Sequence, residues 1–371
     1  MSSHSAPRQR LRAVATESSS EAERPPIGAP SVSVVITNFN YARFLEAAVA
    51  SALTQRDVDV EVIVVDDVST DDSAHVIARL AAADTRVTPI LRAVNGGPVH
   101  AFNDGVDAAR GTYLVRLDAD DVLTPGSLAR SVALAERHPS VGLVYGNPVH
   151  FHGEVPQQAR VRPTGFTVWD GHDWLTLRCA LAVNCITSPE VLMRTSVLRA
   201  VGGMRPLHHA HDFELWMRLA RASDIGHVDG ADQAWHREHD ASLSATQVDV
   251  LRDLNERADA FELLFTDGQG SPDDDARLLQ IAKAALANEA ITRTTQAYVA
   301  GRGGTPETEA YLDFARRLHP DLDGLPKGAV LATVQRLGPQ AARRSPALIL
   351  GAVRTRVGAQ RRTARRQRTG L

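Results

Sequence analysis

Residues 112–117, TYLVRL, form a short apolar run rich in β-branched and aromatic positions, introduced by Gly111. That pattern predicts a buried strand. It recurs upstream in SVSVVITNFN after Pro30, in VEVIVVDD and in VTPILRA. Segments of helical spacing stand between these runs. YARFLEAAVASALTQ sets Phe44, Leu45, Ala48, Val49, Ala52 and Leu53 on one stripe. VSTDDSAHVIARLAA opens on a helix-start signal, and NGGPVHAFNDGVDAARG leads from a glycine-rich turn into a helix. The alternation predicts an α/β protein with a mostly parallel central sheet covered by helices on both faces.

The second half is less regular. SVGLVYGNPVHFH and VRPTGFTV read as further strands with antiparallel pairing, which makes the sheet mixed, and HDFELWMRLARAS reads as a helix burying Phe213, Leu215, Trp216 and Leu219. From about Val248 the spacing is helical throughout. The expected division is a leader over 1–30, disordered for want of an apolar run, an α/β domain over 31–246, a helical extension over 247–335 and a basic tail over 336–371.

Composition alters this picture only at the C-terminus. The formal net charge is −3, yet no acidic residue follows Lys327 while ten arginines occur from Arg336 onward. Peripheral contact with an anionic membrane, nonspecific nucleic-acid binding and a disordered solubilising end are the readings of that tail, with no nucleic-acid fold signature beside it. Apolar runs are too short for a membrane span, and Cys179 and Cys185 lack zinc or redox spacing, which suits a reduced, cytoplasmic setting.

The chemistry gathers at strand ends. In a parallel sheet the loops at the carboxyl ends line one crevice. Here those ends carry Thr37 and Asn38, Asp66 and Asp67, Asn95 with Gly96 and Gly97, and the run LDADD at 117–121. Asp118, Asp120 and Asp121 crowd like charges that call for a counter-ion, and Mg²⁺ or Mn²⁺ prefers carboxylate oxygen. The plainer alternative is a solvated acidic loop in which Asp121 or Thr124 caps a helix begun by Pro125.

In order, SVVITNFN, VEVIVVDDVSTDDS, NGGPVHAFNDGV, LDADD, HDFELWMRLA and REHDASLS resemble the motifs of the inverting family 2 glycosyltransferases of GT-A, Rossmann-like fold. Val68, Phe102 and His211 depart from the family's usual Gly, Arg and Glu. The resemblance implies a nucleoside diphosphate sugar donor, a UDP-sugar first among them, and a hydroxyl acceptor it leaves open. It implies donor contacts from Thr37, Asn38, Asn40, Asp67, Asn95, Gly97, Asn103, Asp118 and Arg237. A divalent cation, Mn or Mg, would be held by Asp120 and Asp118 of the DxD-type LDADD motif and by His239, and Asp212 would be the base. The same Asp212 also suits a helix N-terminus with no catalytic role. A sugar nucleotidyltransferase lacks support because its Gly-rich, basic loop after the first strand is missing. A nicotinamide oxidoreductase would need GxGxxG there. A non-catalytic nucleotide- or glycan-binding relative rests on the three departures alone.

Overall fold

The computed structural model describes residues 11–18, 30–239 and 249–371, excepting the side chains of 362–369. The first of two compact units holds β1 (Ala13–Ser18), β2 (Ser31–Asn38), α1 (Ala42–Leu53), β3 (Asp59–Asp66), α2 (Ser73–Ala83), β4 (Val87–Leu91), α3 (Gly97–Ala108), β5 (Tyr113–Asp118), β6 (Val122–Leu123), α4 (Ser127–Arg137), β7 (Val141–Phe151) and β8 (Gly165–Trp169). After α5 (Gly171–Leu181) it takes in β9 (Leu192–Arg194), α6 (Thr195–Val201), most of α7 (His211–Ala222) and β10 (Asp224–Arg237).

The sheet runs β1-β8-β10-β7-β9-β5-β2-β3-β4, with β6 beside β10. β5, β2, β3 and β4 are parallel throughout, and the register sets Thr37 level with Asp118 and Asn38 level with Asp66. Val34, Val35 and Ile36 of β2 are fully buried, as are Val62, Val64 and Val65 of β3 or nearly so. A strand that buries both faces needs such a continuous apolar run. Gly111 enters β5 so close to β2 that a Cβ would lie 2.6 Å from the Ser33 amide nitrogen. Antiparallel strands complete the sheet: β9 joins β5 to β7, and β8 lies between β10 and β1. The expected α/β fold with a mixed, mostly parallel sheet is present.

The reading of 1–30 as disordered leader fails over 13–18. Those residues form β1, antiparallel to β8, with Glu17 bonded to Arg137 and His138 of the α4 end at 2.6 and 2.9 Å. The segment is too short and too poor in large apolar residues to announce a strand; a partner edge and an ion pair create it.

The second unit gathers 178–185, 207–214 and the described part of 240–371. It contains α8 (Val250–Phe265), α9 (Pro272–Val299), α10 (Pro306–Leu318), α11 (Gly328–Arg344) and α12 (Pro346–Thr369). Asp249 caps α8 by accepting from the Arg252 amide at 2.7 Å, and α10 begins with Pro306 after a Thr305 cap. The helical extension is present, but the expected break at 335/336 is not. α11 runs through it, bent at Gly338 (φ 74°) before Pro339, and the basic segment continues as the helix α12. Cys179 and Cys185 form no disulfide. Among the described residues no helix is long and apolar enough to cross a membrane.

Candidate active site

β5 ends in a tight turn, with the Asp121 amide donating to the Asp118 carbonyl at 3.0 Å. The three carboxylates leave it in different directions. Asp121 is fully buried and accepts from His236 at 3.0 Å and from the Arg237 amide at 2.8 Å, tying the turn to β10. Burial pushes its carboxyl up to about 6, while the Asp121 bond overcomes the desolvation of His236 and lifts that imidazole to about 9. The helix-cap reading of Asp121 or Thr124 therefore fails: α4 starts at Ser127 behind Gly126. His236 is this anchor.

Asp118 accepts from Arg116 at 2.6 Å and from Thr37 at 3.1 Å. Arg116, itself buried, also donates to Ser188 at 2.7 Å. Sequence reasoning passed over Arg116, although a lone arginine inside an apolar strand needs a carboxylate to be tolerated. Asp120 bonds His239 through Nε2 at 3.0 Å, and its carboxyl is raised by burial and by the charge of Asp118, against the pull of His239. Tyr41 stands over the same spot, its hydroxyl 3.4 Å from His239 Nε2. Burial, then Asp120 and Asp118, push that hydroxyl up to about 12. The site is thus short of positive charge around Asp120.

A divalent cation fits two of these groups. Neighbouring ligands of an octahedral ion with bonds of about 2.1 Å stand roughly 3 Å apart, which matches the Asp120–His239 separation of 3.0 Å. His239 Nδ1 is buried without a hydrogen-bond partner, so the bond to Asp120 places the ring proton on Nε2, and an ion between the two groups would take that proton's place. Among the described residues no three His, Cys, Asp or Glu side chains converge to hold an ion alone. Asp118, whose carboxylate oxygen is held by Arg116 and Thr37, does not complete the set.

The turn after β3 is built otherwise. Asp66 accepts from Asn38 at 2.7 Å and from the Ser69 hydroxyl and amide at 2.6 and 3.0 Å, so it serves the turn. Asp67 is met by Arg92 and by the amides of Gly96 and Gly97 at 3.0 and 2.6 Å, while Asn95 donates to the Asp67 carbonyl at 2.8 Å. Val68 stands at φ 65°, a backbone region that a β-branched residue rarely adopts and glycine adopts freely.

Several expected donor contacts are occupied by the fold. Asn40, at φ 59°, accepts from the Thr70 and Asp71 amides at 2.7 and 3.3 Å. Asn103 exchanges both its amide groups with the Met204 backbone at 2.9 and 2.8 Å. Arg237 lies between the rings of Phe44 and Phe151, each 4.5 Å away, and donates to the carbonyls of Asp120 and Gly153. These three position loops, a role that sequence spacing cannot distinguish from ligand binding. Phe102 is fully buried, so its departure from the family pattern is a matter of packing.

In the second unit, Asp212 sits in the first turn of α7, accepting from the Phe213 amide at 2.6 Å and from Asn184 at 3.4 Å. His211, which stands where the family usually has Glu, is buried. Residues 240–244, the end of the REHDASLS segment, lie outside the described residues.

Residues 33–200 match the model of glycosyl transferase family 2. The chain carries a family 2 glycosyltransferase domain. An uncharacterized glycosyltransferase of Nostoc sp. is 44% identical over 115 residues, covering 31% of this chain and 35% of the relative. The chain thus spans about a third of that relative's length. The family 2 domain's fold is shared with solved structures. Staphylococcus aureus TarS 1–349, in complex with UDP-GlcNAc, gives a TM-score of 0.57 at 16% identity, over 84% of this chain and 89% of that one. The mannosyltransferase PcManGT from Pyrobaculum calidifontis, with GDP-Man and Mn²⁺, gives 0.52 at 20% identity, over 85% and 88%.

Proposed function

We propose that this protein is a metal-dependent inverting glycosyltransferase. It moves a sugar from a nucleoside diphosphate sugar, with UDP as the first nucleotide to test, to an acceptor hydroxyl in cytoplasmic glycan or glycoconjugate assembly. The observation that carries the reading is the level register of β2, β3 and β5, which gathers Thr37, Asp67, Asp118 and Asp120 at one edge of the sheet, with His239 on Asp120.

Each group then has a task. Asp120 and His239 would hold the cation, which supplies charge neutralisation for the donor diphosphate. Thr37 and Asp118 stand level at the strand ends to orient the nucleoside side of the donor. Asp67, already a carboxylate held by N–H donors, presents an acceptor edge to a base or ribose. Asp212 takes the proton of the attacking hydroxyl, and Asn184 orients its carboxylate.

The test is calorimetry of the full chain with UDP and with UDP-sugars, with and without Mn²⁺, beside a turnover assay. Binding that requires Mn²⁺ is expected, together with a loss of roughly 10²–10⁴-fold in transfer for Asp212→Asn at unchanged UDP affinity. Wild-type transfer by Asp212→Asn would remove it as the base. Binding without turnover toward any donor and acceptor pair would favour the non-catalytic reading.

A further inference from the structure

We infer that α12 is an interfacial helix that lays this protein on an anionic lipid bilayer. Large apolar side chains are rare on the described surface, yet Ile349, Leu350, Val353 and Val357 of this one helix are 39–51% exposed. At about 100° per residue they share a single arc of roughly 100°. Arg356 borders that arc on one side, Arg354 and Arg361 on the other, and all three are exposed. The opposite face carries Leu348, Ala352 and Thr355, which are partly covered. The helix therefore turns one large apolar residue inward beside two small ones and leaves four outward, the reverse of a helix whose only task is to pack.

Charge selects the partner. No acidic residue follows Lys327, and Arg343 and Arg344 lie exposed just before α12. An apolar stripe edged by guanidinium groups matches the boundary between acyl chains and anionic headgroups. A nucleic acid would take the charge but leave the stripe in water. The helix is not long and apolar enough to cross a bilayer, so it would lie along it.

Full-length protein is sedimented with vesicles of phosphatidylcholine alone and with vesicles containing phosphatidylglycerol, at low and high salt. The expected result is binding to the anionic vesicles only, weakened by salt. It is lost at least tenfold in Ile349→Asp/Val353→Asp and, separately, in Arg354→Gln/Arg356→Gln/Arg361→Gln. Circular dichroism melting of each variant guards against unfolding. Anionic-vesicle binding that survives the aspartate pair overturns the inference. So does a gel shift of duplex DNA unaffected by that pair in the absence of vesicle binding, or a dimer dissolved by it. The readout needs no donor sugar and stands or falls apart from the active-site assignment.

Discussion

Asp66 and Asp67 close β3; Asp120 and Asp121 follow β5 by two residues. In each pair one carboxylate serves the fold, Asp66 by accepting from Asn38 and Ser69, Asp121 by accepting from His236 and the Arg237 amide. The other members differ. Asp67 is enclosed by Arg92 and two glycine amides, so its negative charge is matched within the protein. Asp120 is desolvated beside Asp118 and, among the described residues, has one imidazole as its side-chain partner, so its charge is not matched there. The same dipeptide is a finished structural element at one strand end and an electrostatic deficit at the other. On the proposed function, a cation that neutralises the donor diphosphate would be held at the second.

The largest test of that contrast is Asp120→Asn. Transfer should fall by about 10³-fold, roughly 4 kcal/mol of lost transition-state stabilisation, while the ligand-free protein melts no lower than wild type because a like-charge contact with Asp118 is relieved. A variant that melts clearly lower would show that Asp120 is a structural carboxylate like Asp121. Next in size, Asp121→Asn should cost about 3 kcal/mol in denaturant unfolding, since it leaves His236 without its buried counter-charge. An unchanged midpoint would remove the distinction between the pair's members.

At the other turn, Val68→Gly should stabilise the protein by about 1 kcal/mol, because relief of the left-handed strain exceeds the entropy that glycine adds to the unfolded chain. Destabilisation in chemical denaturation would mean that the Val68 side chain contributes more than its backbone costs. The smallest effect concerns β1. Burial works against ionisation of Glu17, but hydrogen bonds from Arg137 and His138 outweigh it and hold the carboxyl below its ordinary range. A depressed carboxyl stabilises the fold above its unfolded pKa, and that contribution is lost as pH falls through the folded value. Glu17→Gln should therefore melt lower at pH 7, by no more than about 1 kcal/mol for a pair still partly open to solvent, and the gap should close in acid. A gap that persists below pH 3 would place the effect in packing.

Much of this was legible along the chain. The apolar runs of β2, β3 and β5 and the stripes of α1 and α7 stand where their spacing predicts them, because periodicity is set by neighbouring residues. The gathering of Thr37, Asp67 and Asp118 at one edge followed from parallel order alone. The roles of Asn40, Asn103 and Arg237 did not, since each is taken up by a backbone segment remote in sequence, such as the Asn103 contact with Met204.

Local pattern thus determined the strands, the helices and the edge of the sheet that carries chemistry. Tertiary structure decided which carboxylate is satisfied and which is left wanting, where β1 attaches, and which face of α12 meets water. Those outcomes depend on desolvation and on hydrogen-bond partners brought from far along the chain, and neither is a property of a residue and its neighbours.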